Sequence, residues 1–121
     1  MEELKVRAKQ LDEWVEGYFC VYRGVPQILV DESSWEPIDD IKTVGRYTGL
    51  CDKNGNKIFE GDIITAHFQS NHSKQKFSVI FENGTFLFDN GCVKVLVNDI
   101  YCLKVIGNIH DNPELLKGGV G

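Results

Sequence analysis

Tyr47-Thr48-Gly49-Leu50-Cys51-Asp52-Lys53-Asn54-Gly55-Asn56-Lys57-Ile58-Phe59-Glu60-Gly61-Asp62-Ile63-Ile64 lies near the middle of the chain, and its reading decides the fold class. It reads as a strand, a tight turn, a short strand, a second turn and the start of a long strand. Asn54-Gly55 between apolar-bearing flanks is a hairpin signal, because glycine, and to a lesser degree asparagine, tolerates the positive φ of a tight turn. Glu60-Gly61-Asp62 then turns the chain into Ile63-Ile64-Thr65-Ala66-His67-Phe68, a run rich in β-formers.

Downstream, residues 62–70 put Ile64, Ala66 and Phe68 on one face and Thr65, His67 and Gln69 on the other, the alternation of a half-exposed strand. Phe77, Val79 and Phe81 alternate in the same way before Asn83-Gly84, and Thr85-Phe86-Leu87-Phe88 returns. A two-residue turn there sets Glu82 opposite Thr85, Phe81 opposite Phe86 and Val79 opposite Phe88. Residues 93–97 read as another strand, and 101–109 as a last strand or two. Asn112-Pro113-Glu114-Leu115-Leu116 opens like a short helix, with Asn112 as N-cap and Pro113 in the first turn. The glycine-rich residues 118–121 read as a flexible tail.

Upstream, residues 4–8 and 14–23 read as strands. Trp14, Tyr18, Cys20 and Tyr22 share one face of the second, and Val15, Phe19 and Val21 share the other. With apolar groups on both sides, cover on both sides is expected. Residues 27–30 resume extended structure. Residues 31–40 are acidic, hold Ser33, Ser34 and Pro37, and read as a solvated loop in which Trp35 is expected to be an anchor that packs the loop down, the alternative being a contact residue for a partner. The expectation is a mainly β domain: a small SH3-like barrel or sandwich of short antiparallel strands, with an N-terminal β extension and a short C-terminal helix. It spans 1–117 as a single domain, with N-terminal strands and acidic loop at 1–40 and a barrel-like core at 41–117.

The chain has 121 residues, enough for one domain with its own core. Its formal net charge of −5 argues against a nucleic-acid binder that works by neutralising phosphates, and its lysines and arginines form no run. No apolar run approaches the ~20 residues of a membrane span, and no export signal precedes the first strand. Cys20, Cys51, Cys92 and Cys102 show no Cys-x-x-Cys spacing and are expected as reduced thiols in a cytoplasm.

Candidate chemistry is sparse. Asp52-x-Asn54-x-Asn56 begins like a calcium loop, but Lys57 and Ile63 stand where the loop needs glycine and a bidentate glutamate. Glu60 and Asp62 bracket a turn, where carboxylates are ordinarily solvated rather than tuned as an acid–base pair. His67, His72 and His110 lack the paired spacing of a zinc site. No catalytic, cofactor-binding or metal-ligating residue is assigned, and no cofactor or enzymatic activity is expected.

Tyr47-Thr48-Gly49-Leu50, Asp52-Lys53-Asn54-Gly55 and Phe59-Glu60-Gly61-Asp62-Ile63-Ile64 resemble the YopX family of phage and prophage proteins. So do Lys5-Val6-Arg7-Ala8 with Glu13-Trp14-Val15-Glu16-Gly17-Tyr18, and Val105-Ile106-Gly107-Asn108-Ile109-His110-Asp111-Asn112-Pro113-Glu114-Leu115-Leu116. Cys51 departs from the pattern. The resemblance implies a phage-encoded, mostly β, self-associating protein with no activity to carry over. The leading functional expectation is therefore a cytoplasmic accessory protein, homo-oligomeric, that acts as an assembly module or contacts a host or phage protein. An uncovered face of the 14–22 strand would support association, unless the 31–40 loop folds over it. The alternative is a nucleic-acid-binding small barrel, resting on the Gly61-Asp62-Ile63-Ile64 turn and on the aromatics Tyr18, Tyr22, Tyr47 and Phe86. A small hydrolase comes third. A basic, aromatic-lined face would favour the alternative, and a cleft joining histidine, cysteine or carboxylate groups would favour the third.

Overall fold

The structure, a computed structural model, describes residues 5–31 and 34–116. The chain is mainly β, with two antiparallel sheets and single 3-10 turns between strands. Packing divides it into two units, Met1–Tyr47 and Thr48–Gly121.

In the first unit β1 (Lys5–Gln10), β2 (Glu13–Tyr22), β3 (Val25–Asp31) and β4 (Ser34–Pro37) form a meander. The start of β5 (Gly45–Cys51) pairs with β1, Arg46 opposite Val6, and β6 (Lys57–Phe59) follows beside β5, giving the six-stranded order β4-β3-β2-β1-β5-β6. Two-residue turns join the first three strands, with Leu11, Arg23 and Gly24 at positive φ. The expected acidic loop is in part a strand, because β4 pairs with β3 and sets Trp35 opposite Leu29. Ser34 and Pro37 suit a short outermost strand, where one row of backbone groups needs no partner.

After β4 the chain turns onto one face of this sheet and stays there. The Gln10 side-chain amide donates to the Pro37 carbonyl (2.6 Å) and accepts from the Asp39 amide (3.0 Å). The Thr43 hydroxyl accepts from the Lys9 amide (2.9 Å) and donates to the Asp40 carbonyl (2.7 Å). Ile38 and Val44 are thereby packed against Val6, Ala8 and Ile28, together with Val15 and Phe19. Residues 38–44 cover the Val15/Phe19 side of β2, not the Tyr18/Tyr22 side.

Gly17 is fixed by proximity: a Cβ there would fall on the Leu29 carbonyl oxygen of β3.

In the second unit β6 (Lys57–Phe59) follows β5, and β7 (Asp62–Phe68), β8 (Lys74–Glu82), β9 (Thr85–Asp89), β10 (Lys94–Val95) and β11 (Ile100–Asn108) form a sheet ordered β10-β9-β8-β7-β11. The β8–β9 register is the expected one, with Asn83 and Gly84 both at positive φ between Glu82 and Thr85. Ile58, Ile64, Ala66, Phe77, Val79, Phe88 and Ile100 make the core, and the strand members among them obey the two-residue alternation.

Three expectations are corrected here. The five-stranded sheet is open, with β10 and β11 at its two ends, so no closed barrel forms among the described residues. Residues 93–97 supply only the two-residue β10, because the Asp99 carboxylate accepts from the Leu96 amide (3.1 Å) and curls 97–99 into a 3-10 turn. The expected C-terminal helix is a single 3-10 turn, Pro113–Leu115; Asn112 holds its N-cap position and Pro113 its first turn, but the Asn112 side-chain oxygen accepts from the Asn108 amide (3.2 Å) rather than from the turn. The tail expected at 118–121 lies outside the described residues.

The central hairpin forms one residue longer than the Asn54-Gly55 signal implies. Asp52 and Asn56 are its hydrogen-bonded base, Gly55 donates to the Asp52 carbonyl, and only Gly55 of the loop holds positive φ (85°). That is a type I turn closed by a left-handed glycine. The Asp52 side chain is 6% exposed and fills this loop. Its carboxylate accepts from the amides of Asn54 and Asn56 (both 2.9 Å), from the Asn56 side chain (3.3 Å) and from the Val105 amide of β11 (2.9 Å). The Lys53 amide donates to the Leu103 carbonyl (2.9 Å), so the loop caps the outer edge of β11. Burial pushes the Asp52 pKa up, but the hydrogen bonds from Val105, Asn56 and Asn54 outweigh it and hold the group below the usual carboxylate value.

A depressed folded-state pKa means that Asp52 stabilises the fold above its unfolded pKa, and that this contribution fades as pH falls through the folded value. Asp52→Asn, which turns a donor toward donors, should cost about 2–3 kcal/mol at neutral pH. The gap to wild type should narrow below about pH 4. Denaturant midpoints at pH 7 and pH 3 test both points, and a gap that does not narrow in acid contradicts the ionised-clamp account. Gly55→Ala should cost about 1–2 kcal/mol, the conformational penalty alone, since no atom approaches its added Cβ. Gly17→Ala should cost more, about 3 kcal/mol, because backbone must move. Equal midpoints for the two glycine variants would contradict the close approach.

Candidate functional site

The residues of the most distinctive sequence motifs use their polar atoms on one another. Asp62, 1% exposed, accepts from the Phe59 amide (2.8 Å) and closes the turn that holds Glu60 and Gly61. Gly61 accepts from the Ile109 amide (2.8 Å), and Asp62 faces Asn108 in the β7–β11 pairing. The buried Asn108 side chain accepts from the amides of His110 (3.0 Å) and Asp111 (2.9 Å) and donates to the Asp111 carboxylate (3.2 Å). Buried carboxylates and amides that brace turns in this way fix backbone.

Two of the histidines meet at one tyrosine, and the third stands in another turn. His67 stacks on Tyr101 (centroids 5.2 Å), and the His72 Nδ1 lies 2.8 Å from the same tyrosine's hydroxyl. His110 belongs to the Asn108 turn. All four cysteines are free thiols, Cys20 half-buried and the other three exposed. Among the described residues no three His, Cys, Asp or Glu groups are placed to hold a metal ion.

The first sheet carries a different kind of surface. Its two faces are assigned by register: Lys5 opposite Tyr18, Arg7 opposite Glu16 and Lys9 opposite Trp14 across β1–β2, then Tyr18 opposite Leu29, Cys20 opposite Gln27 and Tyr22 opposite Val25 across β2–β3. Leu29 and Gln27 in turn face Trp35 and Pro37 of β4. All of these lie on the side away from Val6, Ala8 and Ile28, the side that residues 38–44 leave uncovered. Tyr22 is 58% exposed, Trp35 47% and Val25 44%. The expected loop anchor is therefore a surface aromatic on an edge strand.

Charge follows the same alternation. Lys5, Arg7 and Lys9 stand in one row along β1, about 6.6 Å apart given the strand rise. Their head groups lie over aromatic rings: Arg7 4.7 Å and Lys9 5.9 Å from the Trp14 ring centroid, and Lys5 5.8 Å from that of Tyr47. Arg23, in the β2–β3 turn, lies 5.4 Å from the Tyr22 ring. Against these four cations the described side chains of the face offer one carboxylate, Glu16. Cys20, Tyr22, Gln27 and Trp35 line a depression of about 430 Å³ in it.

Tyr18, Tyr22 and Tyr47 of the sequence-derived aromatic set meet at this sheet; Phe86 packs in the core of the other unit. Trp35 is singled out by the sequence only as a loop residue, and Trp14, Gln27 and the cations carry no functional expectation there. The available signal was Lys5-x-Arg7-x-Lys9: three basic residues two apart form no run in the sequence, yet a strand lines them up.

Comparison with known proteins places this geometry. A sequence model of the YopX protein family matches residues 5–117. The crystal structure of protein EF1440 from Enterococcus faecalis is similar at 25% identity, with a TM-score of 0.57 over 95% of this chain and 97% of that one. No curated protein matches. Because the family match takes in both units and every segment that carried the resemblance, the chain belongs to the YopX family.

Proposed function

We propose that this chain is a non-catalytic binding module, in the phage-accessory setting that its family resemblance implies, and that it takes single-stranded nucleic acid on the outer face of its first sheet. The observation that carries this reading is the row Lys5, Arg7, Lys9 interleaved with Trp14, Tyr18, Tyr22, Trp35 and Tyr47 on one uncovered face. A single strand needs cations for its backbone and flat apolar rings for its unstacked bases, and this face offers both at short range. A duplex offers no free base to stack, and a β-sheet face of this width enters neither groove. The net acidity of the chain bears on distant attraction rather than on contacts within the face.

A second reading keeps the face and seats a second copy of the chain on it. Exposed Tyr18, Tyr22, Val25 and Trp35 favour it, since contiguous apolar surface commonly marks association. The two readings differ in what the cations do: a strand uses them directly, whereas a second copy presents the same cations to themselves.

Fluorescence anisotropy with a labelled oligothymidine at low salt tests the first reading. Binding is expected, with log affinity falling against log salt at a slope of about −2, the value for three phosphate contacts on a single strand. Lys5→Glu with Lys9→Glu should lower affinity more than tenfold, while Lys74→Glu, exposed on the other unit, should leave it unchanged. An absence of binding at low salt, or binding indifferent to the β1 charges, refutes it. Light scattering of the protein alone decides the second reading: an oligomer that Tyr22→Ser with Trp35→Ser reduces to one chain would support it.

A further inference from the structure

We infer that Asn83, in the turn between β8 and β9, is a site of spontaneous covalent modification, converting to aspartate and isoaspartate ahead of the other Asn-Gly asparagines. The inference stands on the second unit alone and is independent of the single-strand reading. Three Asn-Gly pairs occur in the chain: Asn54-Gly55, Asn83-Gly84 and Asn90-Gly91. Such pairs are labile because glycine carries no Cβ to keep another group from its nitrogen.

The reaction runs within the chain. The Gly84 amide nitrogen gives its proton to solvent and attacks the Asn83 side-chain carbonyl carbon. The new C–N bond closes a cyclic imide, and the side-chain nitrogen takes up a proton and leaves as ammonia. Water then opens the imide at either carbonyl. One opening yields aspartate, and the other yields isoaspartate, in which the main chain runs through the former side-chain carbon. The net change consumes water and releases ammonia, with no oxidant, reductant or cofactor.

The fold separates the three pairs by what their glycine nitrogens do. Gly55 donates to the Asp52 carbonyl (3.0 Å), and Gly91 donates to the Asp89 carboxylate (2.8 Å). The Asn90 side chain is held as well, donating to Gln75 (2.9 Å) and accepting from the Cys92 and Val93 amides (both 2.8 Å). A nitrogen that already donates must give up that bond before it can attack. In the β8–β9 turn the closing pair is Glu82 and Thr85. Among the described residues the Gly84 amide therefore has no acceptor, and the Asn83 side chain has no partner. Both residues are exposed, and nothing lies within 4 Å of the Cβ position on Gly84.

The two products differ in consequence. Aspartate suits the left-handed conformation of residue 83 (φ 52°) much as asparagine does. Isoaspartate lengthens the main chain inside a two-residue turn that sets Glu82 opposite Thr85 and brings the Phe81 and Phe86 ring centroids to 4.9 Å. It thereby loosens the β8–β9 register.

Ageing the full chain at alkaline pH, followed by peptide mapping with mass spectrometry, tests the site. Conversion should appear first at Asn83, with Asn54 about tenfold slower for the one hydrogen bond its glycine must break. Asn90 should be slower again. In urea the three pairs should react at similar rates. Equal rates in the folded chain, Asn54 or Asn90 ahead of Asn83, or an order that persists in urea overturns the assignment. The isoaspartate form, separated by ion exchange, should unfold at a lower denaturant concentration than wild type, while Asn83→Asp keeps the wild-type midpoint. An isoaspartate form as stable as wild type, or an equal loss in Asn83→Asp, overturns the register consequence.

Discussion

The Asp52 carboxylate, held in the loop of the central hairpin, fixes where the second sheet ends. An unpaired strand edge invites further pairing, and proteins blunt such edges with loops, twists or charge. Here the loop does it with two bonds, Lys53 to the Leu103 carbonyl and the Val105 amide to Asp52. Beside them β11 shifts register against β7 between Tyr101 and Lys104, and Cys102 takes a positive φ of 54°. The strand thus bends where the loop is docked. The loop depends on a single side chain, because Asp52 satisfies Asn54, Asn56 and Val105 together, and an apolar replacement would leave several of those amides without a partner. The Glu60-Gly61-Asp62 turn is tied in the same way to the turn after Asn108. The chain's most distinctive motifs therefore serve architecture, and their residue choices say little about ligands.

The first sheet leaves more room for function because its cover is one-sided. Its small dry cluster of Val6, Ala8 and Ile28 needs only Ile38, Val44, Val15 and Phe19 around it, and residues 38–44 are pinned there by Gln10 and Thr43. Having gone to that face, the segment cannot shield the other. Edge placement of Trp35 on β4 then follows from the hairpin, not from any packing demand on the tryptophan. A large aromatic kept at a surface without a packing role is a common mark of a contact residue.

Much of this was readable beforehand where local chemistry is strict. Asn83-Gly84 fixed the β8–β9 register because left-handed positions suit those two residues and the aromatic pairs agree on one face. Leu11 and Arg23 take left-handed conformations that their side chains do not announce, so the first turns were placed only roughly. The strand content of 31–40 was hidden because an edge strand accepts serine and proline that a central strand rejects. Residues 93–97 misled in the opposite direction: their alternation is real, but Asp99 offers the backbone a turn and takes it at Leu96. The strand-docking role of Asp52 was invisible because its bond from the Val105 amide depends on which strand lies beside the loop. The cationic row was missed for a simpler reason. Counting charges along the chain cannot see a period of two, whereas the strand makes every second residue a neighbour.

That period also reconciles an acidic chain with a cationic surface. The formal charge of −5 is a sum over all sides of the molecule, and at physiological ionic strength a charge is felt over only about 8 Å. Among the described side chains on the outer face of β1–β4, Lys5, Arg7, Lys9 and Arg23 outnumber Glu16. A polyanion lying along β1 meets cations and aromatic surface together. On the proposed reading, the net acidity of the chain is a reason for the face to depend on ring stacking. With few cations available, each base laid on Tyr22, Trp35 or Tyr18 must supply a larger share of the binding. Such a surface should favour strands whose bases are already unpaired over any duplex of equal charge.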